Sequence, residues 1–279
     1  MEKLLITTQD QAIITAHLFL PVHSNRKLLV INSATGVKQQ VYFSFARYLA
    51  ENGFTVIAYD YRGIGLSKPR NIKNFKASMR IWGSEDFKAI TEYIKLNFKD
   101  YKKYCLGHSV GALILGMNKN SDIFEEFVFV GTQNAFVGNL KFRTKIEAYL
   151  GFGIVQPLTT ALLGYFPAQW FGLGESLPKN CAYDWRTLIL NRKSTNRLLE
   201  KTDDYSKTLT QKVLVIRAQD DVWLTEKGVR SLLNDTYPNL KPTYRLLKTS
   251  ESDKGEIGHV NFFRSYNSKL WNIILNELI

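Results

Sequence analysis

Short, unbroken apolar runs alternate with segments of helical periodicity over most of this chain, and that alternation restricts the fold to a layered α/β architecture. Leu28-Leu29-Val30-Ile31 offers no polar residue to a solvated face, which suits a strand covered on both sides. Apolar residues then recur at helical spacing through residues 41–51, and Gly53 ends that helix. The spacing predicts the pair again as strand 54–59 with helix 85–98, as strand 103–106 with a helix opening after residue 109, and as strand 126–130. After an interruption it resumes with strand 213–217, helix 225–233, strand 243–247 and a last helix over 261–278. Runs 4–8 and 12–20, divided by Gln9-Asp10-Gln11, read as an antiparallel hairpin at a sheet edge. The expectation is a mostly parallel central sheet with helices on both faces.

The interruption divides the chain into a core of residues 1–135 and 211–279 and an inserted helical cap of residues 136–210, which lacks parallel-strand signals. Within it residues 148–174 carry no charge, a stretch long enough to cross a hydrocarbon layer of roughly 30 Å. Gly151, Gly153, Pro157, Gly164 and Pro167, with Gln156 and Gln169, make it a poor membrane helix. The reading is therefore a lid whose apolar face covers a substrate pocket, with no transmembrane span. Tyr149, Phe152, Tyr165, Phe166, Trp170 and Phe171 are individually expected to pack a core, while their density suggests that an apolar or aromatic substrate group is held there.

With 279 residues and 45% hydrophobic content the chain can bury a large core. Two cysteines, Cys105 and Cys181, do not make a disulfide framework, and the polar turn after Ile6 is unlike a signal peptide, so the expected compartment is the cytoplasm. Most of the cations behind the formal charge of +12 are not clustered; the exception is residues 61–84, where Arg62, Lys68, Arg70, Lys73, Lys76 and Arg80 meet no acidic residue. A solvated loop is the first reading, and a docking surface for a phosphate-bearing carrier or lipid head group is the sharper one. Weak association with an anionic surface fits this pattern. Nucleic-acid binding rests on net charge alone and is not expected, and monomer and homodimer stay equally open.

Chemistry is signalled by Gly107-His108-Ser109-Val110-Gly111, set between the strand ending at Leu106 and the helix expected to run on through Ala112-Leu113-Ile114-Leu115. A serine raised on so tight a strand-to-helix turn needs small residues two before and two after it, and glycine stands at both. The turn exposes the Ser109 hydroxyl at the carboxyl edge of the sheet and aims the Val110 N–H at a developing oxyanion. A serine hydroxyl needs a base, and the base needs an orienting acid, both following the nucleophile in chain order on this topology. Of four histidines, His17 and His23 precede the turn and His108 lies within it, pointing away; His259 alone follows. The strand over 213–217 runs into Asp220 and Asp221, either of which could reach the imidazole. A second oxyanion donor is expected after the first parallel strand, with Thr35 N–H favoured and Ala34 close behind.

With these residues in place, the chain resembles the α/β-hydrolase superfamily over nearly its whole length. Asp60-Tyr61-Arg62-Gly63-Ile64-Gly65-Leu66-Ser67 is similar to a segment of lipases and esterases whose acid and arginine are mainly structural. Ala34-Thr35-Gly36-Val37, Asp220-Asp221-Val222-Trp223 and the run from Gly258 to Arg264 resemble a poorly characterised group of bacterial predicted hydrolases. Three departures stand out: Ser33-Ala34-Thr35 where lipase-like members read His-Gly-x, Ala218 where Gly commonly starts a Gly-x-x-Asp run, and Thr225 in place of a proline. That run places Asp221 at the acid, with Asp220 in reserve. The resemblance implies an α/β-hydrolase fold and a serine esterase with Ser109, His259 and Asp221 as catalytic triad and Val110 and Thr35 as oxyanion donors. It needs neither metal nor organic cofactor. The partner implied is a small acyl substrate. A thioesterase or acyltransferase would use the same residues, and an inactive binding protein would share the fold.

Overall fold

The computed structural model describes residues 1–278. Its strands and helices follow in chain order as β1 (Glu2–Thr7), β2 (Ile13–Phe19), β3 (Lys27–Asn32), α1 (Phe43–Glu51), β4 (Phe54–Tyr59), α2 (Met79–Ile81), α3 (Lys88–Asn97), β5 (Lys102–His108), α4 (Val110–Leu113) and β6 (Glu126–Val130). Then come α5 (Phe142–Leu150), α6 (Gln156–Leu163), β7 (Tyr165–Phe166), β8 (Leu177–Pro178), α7 (Lys179–Leu190), α8 (Thr195–Leu199), β9 (Lys212–Ala218), α9 (Glu226–Asp235), β10 (Lys241–Leu247) and α10 (Asn272–Leu278). Eight strands form one sheet in the order β1-β2-β4-β3-β5-β6-β9-β10. β2 pairs antiparallel with both its neighbours and every other pairing between β4 and β10 is parallel, so the hairpin sits at an edge as its sequence predicts.

Strand residues alternate between two buried layers, which is why the central runs are apolar throughout. Leu28, Val30, Phe127, Phe129, Val213 and Val215 meet Ile90 and Ile94 of α3 and Val229, Leu232 and Leu233 of α9. Leu29, Ile31, Val128, Leu214 and Ile216 meet Phe45 and Leu49 of α1 and Ile274 and Leu275 of α10. Both cysteines are buried and unpaired.

Several helices differ in length from their sequence periodicity. The helix expected at 85–98 begins earlier, as α2, a π-helical stretch Trp82–Phe87 and α3 in succession. The last helix is two 3₁₀ stretches, Asn261–Phe263 and Ser265–Trp271, before α10. Helix α4 stops at Leu113, where the buried Tyr237 hydroxyl lies 2.8 and 3.0 Å from the Ala112 and Leu113 carbonyl oxygens and offers them the partner that a longer helix would have supplied.

Between β6 and β9 the chain leaves the sheet. Its main feature is one continuous helix, Phe142–Leu163, made of α5, a π-helical stretch Gly151–Val155 and α6. The glycines and Pro157 do not break it. At π spacing Phe152 O would pair with the N–H of residue 157, which proline lacks; Arg186 Nε donates to that carbonyl instead, at 2.9 Å. Gly164, at φ +77°, ends the helix.

Candidate active site

The sheet delivers its polar residues to one rim, the carboxyl ends of the parallel strands, where β3 leads to Ala34 and Thr35, β5 to Ser109 and β9 to Asp220 and Asp221, and where the loop after β10 carries His259. Ser109 sits at φ +53°, ψ −117°, a backbone state that costs a side-chain-bearing residue about 1–3 kcal/mol. The flanking packing enforces it. A Cβ on Gly107 would lie 2.5 Å from Ala112 Cα, and one on Gly111 would lie 2.1 Å from Asn32 O, so neither position tolerates any other residue without moving backbone. Ser109 N donates to Val130 O at 3.0 Å and Ser109 O accepts from Thr132 Oγ1 at 2.9 Å, which ties the turn to β6. Its hydroxyl is half-buried, faces a cavity of about 680 Å³ and makes no hydrogen bond among the described residues.

His259 lines the same cavity. Its Nδ1 lies 2.7 Å from Asp221 Oδ2, so a proton on Nδ1 is donated to the carboxylate and Nε2 is left facing without a partner. A Cβ on Gly131 would be 3.5 Å from His259 Cε1, which puts the ring over the end of β6 beside the serine turn. Asp221 is buried, and its other oxygen accepts from Trp223 N at 2.9 Å. Asp220 points elsewhere: its Oδ2 accepts from Ile257 N at 2.9 Å, holding the loop two residues before the histidine. The two neighbouring carboxylates thus divide the work, one orienting the ring and one tethering its loop.

The amides also separate. Ala34 N donates to the Tyr42 hydroxyl at 2.9 Å and is therefore occupied. Thr35 N–H has no acceptor among the described residues, and Val110 N–H, first in its helix, has none within it; both residues line the cavity. The cavity continues beneath Leu140, Trp185, Leu188, Ile189 and Trp223, an apolar chamber walled largely by residues of the excursion between β6 and β9. No cluster of His, Cys, Asp and Glu suited to a metal ion occurs among the described residues.

His108 contributes more than its sequence position suggests. The Tyr42 hydroxyl, already accepting from Ala34, donates to His108 Nδ1 at 2.8 Å, and His108 Nε2 donates to His259 O at 2.8 Å. Burial first, and then the nearby His259, pushes its pKa down to about 3, so the ring is neutral with its proton on Nε2. One buried relay therefore links the Thr35 loop, the serine turn and the His259 loop. Reading the sequence misses it because the three members are 66 and 151 residues apart.

Asp60 and Arg62 have the structural roles that the resemblance implies. Asp60 Oδ1 accepts from Gln39 N, and Oδ2 accepts from Gln39 Nε2 and Leu66 N. Arg62 is buried between Asp86 and Asp10, and the Asp10 carboxyl is held down at about 2 by the hydrogen bond from that guanidinium. Thr225, standing where a proline is usual, caps α9 by accepting from Gly228 N at 3.0 Å.

The sequence matches the hydrolase family described as serine aminopeptidase, S33, over residues 23–135. No curated protein matches it. Among solved structures, an esterase from Exiguobacterium antarcticum is similar at 14% identity with a TM-score of 0.61, over 99% of each chain. An esterase from Pyrococcus furiosus has 15% identity and a TM-score of 0.61, over 99% of this chain and 89% of that one. An α/β hydrolase from Penicillium sp. sh18 has 15% identity and a TM-score of 0.64, over 99% and 97%. The serine turn with its two obligatory glycines, the sheet order and these likenesses give the chain the α/β-hydrolase fold.

Proposed function

We propose that this chain is a serine hydrolase of carboxylic esters. The observation that carries the reading is the pair of unpartnered atoms, Ser109 Oγ and His259 Nε2, opening on one cavity while Asp221 fixes the far side of the imidazole. Ser109 Oγ attacks the ester carbonyl carbon as His259 Nε2 takes its proton. Val110 N–H and Thr35 N–H donate to the oxyanion, a preorganised arrangement that needs no reorganisation as charge develops. Collapse breaks the C–O bond to the alcohol, which leaves with the proton from His259. Water then attacks the acyl-enzyme, its proton passing to Nε2, and the carboxylic acid departs as Ser109 is restored. Asp221, 2.7 Å from Nδ1, holds the imidazolium through the cycle.

The chamber beneath Leu140, Trp185, Ile189 and Trp223 favours an apolar acyl group. Lys68, Arg70, Lys73 and Lys76 lie off the cavity wall, which argues against a phosphorylated carrier seated on that basic stretch. The test is labelling by a fluorophosphonate probe and turnover of p-nitrophenyl esters of increasing chain length. Labelling should be confined to Ser109, and Ser109→Ala should lower kcat by about 10⁴-fold or more. Undiminished turnover in that variant would overturn the assignment.

A further inference from the structure

The polarity of the Phe142–Leu163 helix runs the wrong way for a soluble protein. Its buried row, Thr144, Ala148, Phe152, Gln156 and Thr160, is largely small or polar. Its opposite row, Phe142, Ile146, Leu150, Ile154, Leu158 and Leu162, is wholly apolar and exposed, with Phe142 at 80% and Leu162 at 82%. Both rows advance by four residues and are offset by two, so they lie on opposite sides. An amphipathic helix that serves only its own core does the reverse. On the turn beyond Gly164, Trp170 is 64% exposed and Phe171 44%. Contiguous apolar surface of this extent marks a contact with something outside the chain.

Charge identifies what it contacts. Asn74 N donates to Gly164 O at 3.0 Å, and a Cβ on Gly164 would lie 2.7 Å from Lys73 Cγ, so the helix ends against the basic loop. Lys68, Arg70, Lys73 and Lys76 on that loop are all exposed and form no ion pair among the described residues. Exposed Lys141 and half-buried Lys145 stand at the other end, and Arg143 occupies the nearby Glu147. An apolar row with cations at both ends complements an anionic lipid surface, whose headgroups surround its hydrocarbon. Two copies packed through this row would instead bring cations against cations in either orientation. The helix is long and apolar enough to cross a membrane, yet Phe152 packs edge-on to Trp185 of α7 at 5.0 Å, which holds it lengthwise on the protein.

We infer that the chain docks on anionic membranes through the outer row of this helix, with Trp170 and Phe171 seated at the interface. Gln169 and Gly172, which flank those two aromatics, line the cavity, so the docked face and the cavity share one turn. The docking is independent of any chemistry at Ser109.

Co-sedimentation with vesicles tests it. The 279-residue chain should pellet with phosphatidylcholine–phosphatidylglycerol vesicles at low salt, remain soluble with phosphatidylcholine alone, and be released as salt rises. The combined variant Leu150→Glu, Ile154→Glu, Leu158→Glu, none of which lines the cavity, should bind at least about tenfold more weakly with its melting temperature kept. Lys73→Glu with Lys76→Glu should weaken binding and flatten its salt dependence. Brominated acyl chains should quench tryptophan emission in the wild type and much less in Trp170→Phe. Failure of the wild type to pellet with anionic vesicles at low salt would overturn the inference. So would a solution dimer that the leucine and isoleucine substitutions convert to monomer, since the row would then be a subunit interface.

Discussion

The carboxyl rim of the sheet and the Phe142–Leu163 helix are built on opposite principles. At the rim nearly every buried polar group has a partner within the chain: Asp221 holds His259 and Trp223 N, Asp220 holds Ile257 N, and Tyr42 joins Ala34 to His108. Apart from the buried Asp220 Oδ1, the groups left open there, Ser109 Oγ, His259 Nε2 and the Val110 and Thr35 amides, face one cavity. Along the helix it is the apolar groups that are left open, and they face outward. Under the two proposals above, the open groups are polar where bonds would be made and broken and apolar where a surface would be met.

The sharpest way to break the comparison is to ask whether two adjacent carboxylates really differ. Asp221→Asn removes the charge that holds His259 and favours the wrong tautomer, so kcat should fall by about 10³–10⁴-fold. Asp220→Asn keeps an oxygen for Ile257 N and should fall by less than about tenfold. Equal losses, measured as kcat on one p-nitrophenyl ester, would mean that the two act as a single unit.

A smaller effect tests the buried relay. Tyr42→Phe leaves Ala34 N and His108 Nδ1 without partners, at a cost of about 2 kcal/mol. Because the relay positions the Thr35 and His259 loops, kcat should drop about tenfold with KM little changed, whereas a merely structural tyrosine would lower stability alone. Chemical denaturation and steady-state kinetics on the same preparation separate these outcomes.

The rim was legible in the sequence because its signals are local. A strand end, two glycines and a serine fall within residues 107–111, and Asp221 and His259 each follow a β-prone run. Between Asp220 and Asp221, and between Ala34 and Thr35, spacing alone cannot decide, because the deciding bonds go to Ile257 and to Tyr42. The early end of α4 was hidden for the same reason, since Tyr237 stands 124 residues beyond Leu113. The expectation that His108 points away from the chemistry misses its ring, which lies 5.3 Å from that of His259 and donates to His259 O. The long helix misled differently: glycines and Pro157 argue for a break, and only Arg186 reaching Phe152 O explains why the ladder survives.

The smallest expected effect lies on the helix, and its smallness is the point. Phe152, on the inner row, packs with Val137, Leu140 and Ile189, so Phe152→Ala opens a cavity and should cost about 3–5 kcal/mol. Leu158, one and a half turns further on but facing out, is 58% exposed and contributes little to that cluster. Leu158→Gln should therefore change unfolding free energy by no more than about 0.5 kcal/mol, even though it removes a large apolar side chain from an apolar helix. Urea titration of the two variants reads the difference directly. A loss at Leu158 approaching that at Phe152 would mean that the outer row is covered by something in solution, and comparing the titration at two protein concentrations would then reveal whether the cover is a second copy of the chain.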